Sequence, residues 1–322
     1  MTRTRLPRLL LALTAALALA GCASATADPG PAAAAGTGTG INLTPQQNRI
    51  STPKVDSIAA LVPADVRAHG TLEVVDSLGT VPPLDFYATD DKTVIGAEPD
   101  LATLVADVLG LKVQFHPESW ENVFVGLDSG KYDVGFTNIT VTETRKEKYD
   151  FATYRLDNLA FEAKKGADWK VTGPRDVAGR TIGVSSGTNQ EKLLLDWSAQ
   201  DVAAGLKPVK IAYYQNSSDY YLALGSGRID AWVGPNPTSA FHAAQTGQTQ
   251  VIGTYSGAGA SLQGKIAATV KKGNPLITAV QAALDEVIRN GTYGQVLQRW
   301  GLSNEAVPSS ELNPPGLPKS DG

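Results

Sequence analysis

The chain has 322 residues, 42% hydrophobic and 19% charged, with a formal net charge of -4. That composition suits a globular protein long enough for two separate cores, and the lack of a basic excess argues against a nucleic-acid binder. A single cysteine, Cys22, excludes an internal disulfide and a Cys-rich metal site, and His69, His116 and His242 lie too far apart for ligand spacing, so neither metal nor cofactor is expected.

In chain order, Arg3, Arg5 and Arg8 form a positive leader, and Leu9 to Leu19 is an uncharged Leu/Ala stretch. It is short for a bilayer span, which takes about 20 residues, but fits the apolar region of a signal peptide. Leu19-Ala20-Gly21-Cys22 looks like a bacterial lipobox, with residues 1–21 removed and Cys22 acylated, as by palmitate. The mature chain would carry 25 basic against 32 acidic residues. Residues 23–40, ASATADPGPAAAAGTGTG, are rich in small residues, Gly and Pro. We expect a flexible tether over 22–60.

From about Asp65 strands and helices alternate. TLEVVDS (71–77) reads as a strand. Glu98-Pro99-Asp100 opens a helix, since Pro fits the first turn and acids suit the dipole there. Leu101, Leu104, Val105 and Val108 give that helix one apolar face. KVQFHPE (112–118) is a strand, WENVFVGLDSG (120–130) a short helix and DVGFTNI (133–139) a strand. A second unit repeats the pattern. NLAFEAKK (158–165) and TIGVSSG (181–187) are strands, and TNQE (188–191) has capping-box form ahead of a helix through Leu193, Leu194, Leu195 and Trp197. PVKIAYY (208–214), RIDAWVG (228–234) and KIAATVKKG (265–273) are strands, with a helix at 218–227. Leu276, Val280, Leu284, Val287 and Ile288 mark a long amphipathic helix, and Tyr293, Val296, Leu297 and Trp300 a last one. An irregular tail, 307–322, follows. The fold class is α/β, in two similar units whose cleft lies off the carboxyl ends of the strands.

Several segments resemble the family 3, polar amino acid type, solute-binding proteins of bacterial ABC importers. They are PPLDF (82–86), GAEPDLA (96–102), SGKYD (129–133), ITVTETR (139–145), YDFATY (149–154), GRTIGVSSGT (179–188), SGRIDA (226–231), KKGNPLI (271–277) and DEVIRNGTYGQVLQRWG (285–301), in the family's order from about Asp65 to Gly301. The resemblance implies a two-lobed, type II periplasmic-binding-protein-like fold, each lobe a mostly parallel sheet flanked by helices. Lobe I would be 65–160 plus 268–306 and lobe II 161–267, joined by a hinge of two strands near 158–164 and 265–271. It also implies a monomer anchored through Cys22 on the outer face of the cell membrane, with a small-molecule ligand and an ABC permease as partners.

By the same resemblance, Arg145 grips the ligand's α-carboxylate, for which a guanidinium offers two parallel N–H donors. Thr140 bonds the same group, and Thr137 and Asn138 line the pocket beside it. From lobe II, Ser185, Thr188 and Asn189 face the cleft at the start of a helix, where unpaired N–H groups favour an anion; Thr188 reads equally as an ordinary helix cap. Trp120 either covers one side of the ligand or packs in the core. Asn216 is a further polar candidate.

The sequence departs from the pattern at Pro235, where family members that bind standard amino acids have an Asp that accepts the α-ammonium. Asn236, Asp85 or Glu98 is left to recover the amine, or the ligand is a modified or cyclic amino acid or another small zwitterion. An enzyme on the same scaffold, dehydratase-like with Glu98 or Asp85 as acid, is the main rival. GASLQGKI (259–266) misses a phosphate loop because Ile266 follows Lys265. A ligand-sensing domain is the third possibility.

Overall fold

The computed structural model describes residues 40–77 and 82–319. The leader, the Cys22 anchor and residues 23–39 of the expected tether lie outside them. From Ile41 on the tether reading does not hold. Ile41, Leu43 and Ile50 pack against the first apolar core, and Arg49 donates to the Val94 carbonyl at 2.5 Å and pairs with Asp100 at 3.4 Å. A buried cation–carboxylate contact and three apolar side chains tie the segment down. Two short helices, α1 (Asp56–Ala59) and α2 (Ala64–His69), follow it.

The first unit is β1 (Thr71–Ser77), the hairpin β2 (Phe86–Tyr87) and β3 (Val94–Ile95), α3 (Ala97–Leu109), β4 (Lys112–Glu118), α4 (Trp120–Ser129) and β5 (Val134–Gly135). β1 pairs parallel with β4 and β5. The strand expected at 133–139 stops early because Asn138 sits at φ +52°, in the left-handed region that breaks an extended run. That kink turns the chain behind β5 toward the cleft.

The long β6 (Tyr149–Lys164) then serves both units. Its first half pairs antiparallel with β11 (Gly264–Lys271), its second half with β9 (Ala231–Pro235) and β10 (Thr249–Ser256). The second unit holds β7 (Thr181–Val184), α5 (Asn189–Ala203), β8 (Lys210–Tyr213), α6 (Ser217–Gly225), β9, α7 (Asn236–Thr246) and β10, with β7 parallel to β8 and β9. Helix α7 and strand β10 are not anticipated from the sequence pattern. Helices α8 (Leu276–Asn290) and α9 (Thr292–Arg299) return to the first unit.

The fold is thus α/β, but the sheet is mixed: the strands that cross between the units are antiparallel. One large core draws on residues from Val62 to Tyr154 and from Ile266 to Val307; a second, around Leu159, Phe161, Ile182 and Trp197, draws on residues 159–252. The irregular tail is docked, not loose. Leu312 bridges to Ala152 and Leu317 to Thr142, and Gly316 lies so close to Val141 that a Cβ would meet its carbonyl oxygen at 2.3 Å.

At the end of β1, Asp76 is fully buried, and neither carboxylate oxygen has a hydrogen-bond partner among the described residues. Burial, and then the charge of Asp85, push its carboxyl up to about 8. Between the unfolded value near 4 and about 8 the folded state holds more protons than the unfolded, so stability falls as pH rises through that window. Urea midpoints should drop between pH 5 and pH 8.5 in the wild type, and drop less in Asp76→Asn.

Candidate functional site

A cavity of about 210 Å³ lies between the two units. The turn after β5, the start of α4, the start of α5 and the end of β9 line it. Of the residues expected from sequence, Thr137, Asn138, Trp120, Ser185, Thr188 and Asn189 all lie on its wall.

Most of their polar atoms are already committed. The Thr137 hydroxyl donates to Asp85 and accepts from the Ser77 N–H at 2.8 Å. Ser185 Oγ donates to the Tyr214 carbonyl at 3.0 Å. Thr188 Oγ1 donates to the Ser185 carbonyl at 2.7 Å and accepts from the Glu191 N–H at 3.1 Å, so it is a helix cap. Asn138 is oriented by its Oδ1, which accepts from Arg155; its amide hydrogens are left for the cavity.

Arg145 is not one of the residues that line the cavity; it stands beside the wall residue Trp120, in a single 3-10 turn (Arg145–Glu147) and half-buried. Its guanidinium lies 5.2 Å from the ring centres of both Trp120 and Phe124. Nη1 donates to the Thr140 carbonyl at 2.9 Å and Nη2 to the Gly187 carbonyl at 3.2 Å. Trp120 Nε1 reaches the same Gly187 carbonyl at 3.4 Å. Two side chains of the first unit therefore hold one carbonyl of the second, and the cleft is bridged. Burial pushes the guanidinium down to about 10, with Asp157 and Tyr149 opposing, so it remains a cation at neutral pH. Two of its five N–H groups are used by these bonds.

Five expected residues sit elsewhere. Thr140 is fully buried under the cavity, its hydroxyl given to Asp157 at 2.8 Å. Asp85 is fully buried, accepting from the Ser77 N–H at 3.2 Å and from Thr137; it braces the wall and does not face the cavity. Asn236 opens α7 and lines a different cavity with Pro83, Phe241 and Trp300. Pro at 235 and 237 fixes the helix start there and directs Asn236 away. Asn216 caps α6, accepting from the Asp219 N–H at 3.0 Å. Glu98 is fully buried and bonded to Tyr154 and, at 2.9 Å, to Arg155.

Sequence reasoning passed over other wall residues. Tyr220 and Trp232 stack at 3.7 Å with planes 5° apart and present an aromatic surface. Trp232 was visible as an aromatic in an alternating strand, but nothing in the pattern says which face meets the cleft. Glu121 and Gln215 meet across the opening at 3.5 Å. Under the wall lies Asp157, whose Oδ2 accepts from Thr140 and, at 3.0 Å, from Asn189. Burial pushes its carboxyl up to about 6, against the stabilising bonds from Thr140 and Asn189. A neighbouring buried group centres on Arg155, which pairs with Glu98 and Glu305. Among the described residues there is no cluster of His, Cys, Asp and Glu that could hold a metal, and no helix is long and apolar enough to cross a membrane.

A bridged cleft between two α/β units that share a long crossing strand is the frame of a ligand-capturing protein. Residues 74–303 match the family model for bacterial extracellular solute-binding proteins, family 3. The chain belongs to that family. Among the relatives of this solute-binding protein is the L-cystine-binding protein TcyJ of Escherichia coli K12, 30% identical over 236 residues, covering 73% of this chain and 84% of that one. The arginine-binding protein ArgT of Corynebacterium glutamicum is 26% identical over 261 residues, 80% of this chain and 83% of its own. Among solved structures, an ancestral arginine-binding protein bound to arginine is 31% identical with a TM-score of 0.62, covering 72% of this solute-binding protein and 98% of that chain. The ancestral amino acid-binding protein AncCDT-1, a precursor of cyclohexadienyl dehydratase, is 25% identical with a TM-score of 0.61, over 73% and 97%.

Proposed function

We propose that this solute-binding protein captures a small carboxylate-bearing solute, an amino acid or a derivative of one, between its two units and delivers it to an ABC permease. The observation that carries the reading is the cavity with wall residues from both units, together with a cationic Arg145 beside its wall residue Trp120. A guanidinium with N–H groups to spare, next to aromatic rings, suits a small carboxylate. The relatives point the same way, being named for L-cystine and arginine. Lobe I is 65–160 plus 268–306 and lobe II 161–267, closing about the crossing strands. Mass spectrometry of the small molecules released by denaturing the purified protein tests the reading. A stoichiometric amino acid or derivative supports it; a carboxylate-free solute would oppose it.

The enzyme alternative cast Glu98 or Asp85 as its acid, and both are fully buried and hydrogen-bonded inside the first unit.

The protein acts as a monomer held on the outer face of the cell membrane by lipid on Cys22. Cys22→Ser should move the protein from the membrane fraction to the soluble fraction and remove the acyl mass, with ligand binding unchanged. An equal membrane share in both would contradict the anchor.

A further inference from the structure

The cavity wall carries an acceptor that the sequence pattern does not suggest. Asn189, only 5% exposed, donates from Nδ2 to Asp157 Oδ2 at 3.0 Å and to the Gly257 carbonyl at 3.1 Å. Both partners are oxygens that only accept when Asp157 is ionised, so both amide hydrogens are consumed and the carboxamide has one orientation. Its Oδ1 has no hydrogen-bond partner among the described residues, and the residue lines the cavity. Next to it Gln190, also 5% exposed and on the wall, has a buried Oε1 without a partner among the described residues.

The lock on Asn189 is itself built. Asp157 is 1% exposed and is fixed from the first unit by the Thr140 hydroxyl, on the same Oδ2. Residue 257 must be glycine, because a Cβ there would lie 1.6 Å from that oxygen. A buried carboxylate one hydrogen bond behind the amide polarises it and lends the wall negative potential. Asn138 is locked in the opposite sense, with Oδ1 held by Arg155. One asparagine offers hydrogens to the cavity, the other an oxygen.

We propose that Asn189 Oδ1, set by Asp157, accepts an N–H of the ligand's cationic amine, and so replaces the carboxylate that Pro235 cannot supply. The proposal rests on the reading that the cavity takes an amino-acid-like zwitterion. It also defines the substrate class: the amine must carry hydrogens, which excludes fully methylated betaines.

The test is calorimetry on the full chain after ligand removal by unfolding and refolding. The probes are the common L-amino acids, L-cystine, and the Nα-trimethyl analogue of each compound that binds. Wild type should prefer the free amine over its trimethyl analogue by about tenfold or more, the worth of one charge-assisted hydrogen bond. Asn189→Leu should weaken the free amine by a similar factor and shrink that preference toward one. Asp157→Asn leaves the wall intact but releases the lock, and should reduce the preference severalfold; it serves if Asn189→Leu does not fold. An unchanged preference in both folded variants would overturn the role of Asn189 while leaving the amino acid reading in place. A wild type that binds no probe, or only the methylated ones, overturns the proposal; binding none also removes the reading under it.

Discussion

Arg145→Ala should lower ligand affinity at least about a hundredfold and leave the protein folded. A two-pronged guanidinium–carboxylate contact has two charge-assisted bonds, each worth about 1.5–3 kcal/mol, and about 1.4 kcal/mol is a factor of ten. The variant also loses the 3.2 Å bond from Nη2 to the Gly187 carbonyl, one of the contacts that bridge the cleft. The fold loses less. Arg145 is half-buried, bonds one carbonyl of its own unit and lies over Trp120 and Phe124, contacts worth about 0.5–1 kcal/mol each at such sites. Arg145→Lys should fall between, keeping the charge but not the fork. Calorimetry for affinity and a urea melt for stability separate the two effects. A variant that melts early and binds normally would assign Arg145 to structure.

Arg155→Met has the largest expected effect on stability, a loss of about 3–5 kcal/mol, the usual result of removing one partner of a buried ion pair. Arg155 is 1% exposed, and Glu98 and Glu305 are both fully buried. Burial alone disfavours its charge, but Glu305 and Glu98 more than offset that, so the guanidinium is held above its ordinary range. Without it two carboxylates are stranded, and Asn138 loses the donor that orients it. Adding Glu98→Gln and Glu305→Gln should recover much of the loss. Urea midpoints of the single and triple variants at pH 7.5 check this. A single variant as stable as the wild type at pH 7.5 would mean that the three groups are not coupled as described.

The apolar periodicities located most helices; α8 buries one face, α3 is buried nearly all round, and both carry glycine just past the end, at Gly110 and Gly291. The strand after Asp133 was overread, since nothing local warns that Asn138 adopts a left-handed turn. The wall residues Thr137, Asn138, Trp120, Ser185, Thr188 and Asn189 were named through the resemblance of their segments to the family, and only the helix cap at Thr188 follows from a local pattern. The rest depends on partners distant in sequence. Glu98 reads as a helix-start acid, yet its partner Arg155 lies 57 residues away. Asp157 reads as a charge in a strand, and only the pairing of β6 with β11, which brings Thr140 and Gly257 around it, makes it a buried anchor. Pro235 leaves the ammonium partner an open question in the sequence, and neither composition nor spacing indicates that the Asn189 amide hydrogens go to Asp157 and the Gly257 carbonyl.

The central claim is that the cavity beside Arg145 holds one small carboxylate-bearing zwitterion per chain. Isothermal titration of the ligand-free wild type with the common L-amino acids, L-cystine and their carboxyl methyl esters tests it directly. We predict one-to-one binding of at least one free acid, with its ester weaker by about a hundredfold. Equal binding of acid and ester, or no binding of any of them by folded protein, would contradict the account.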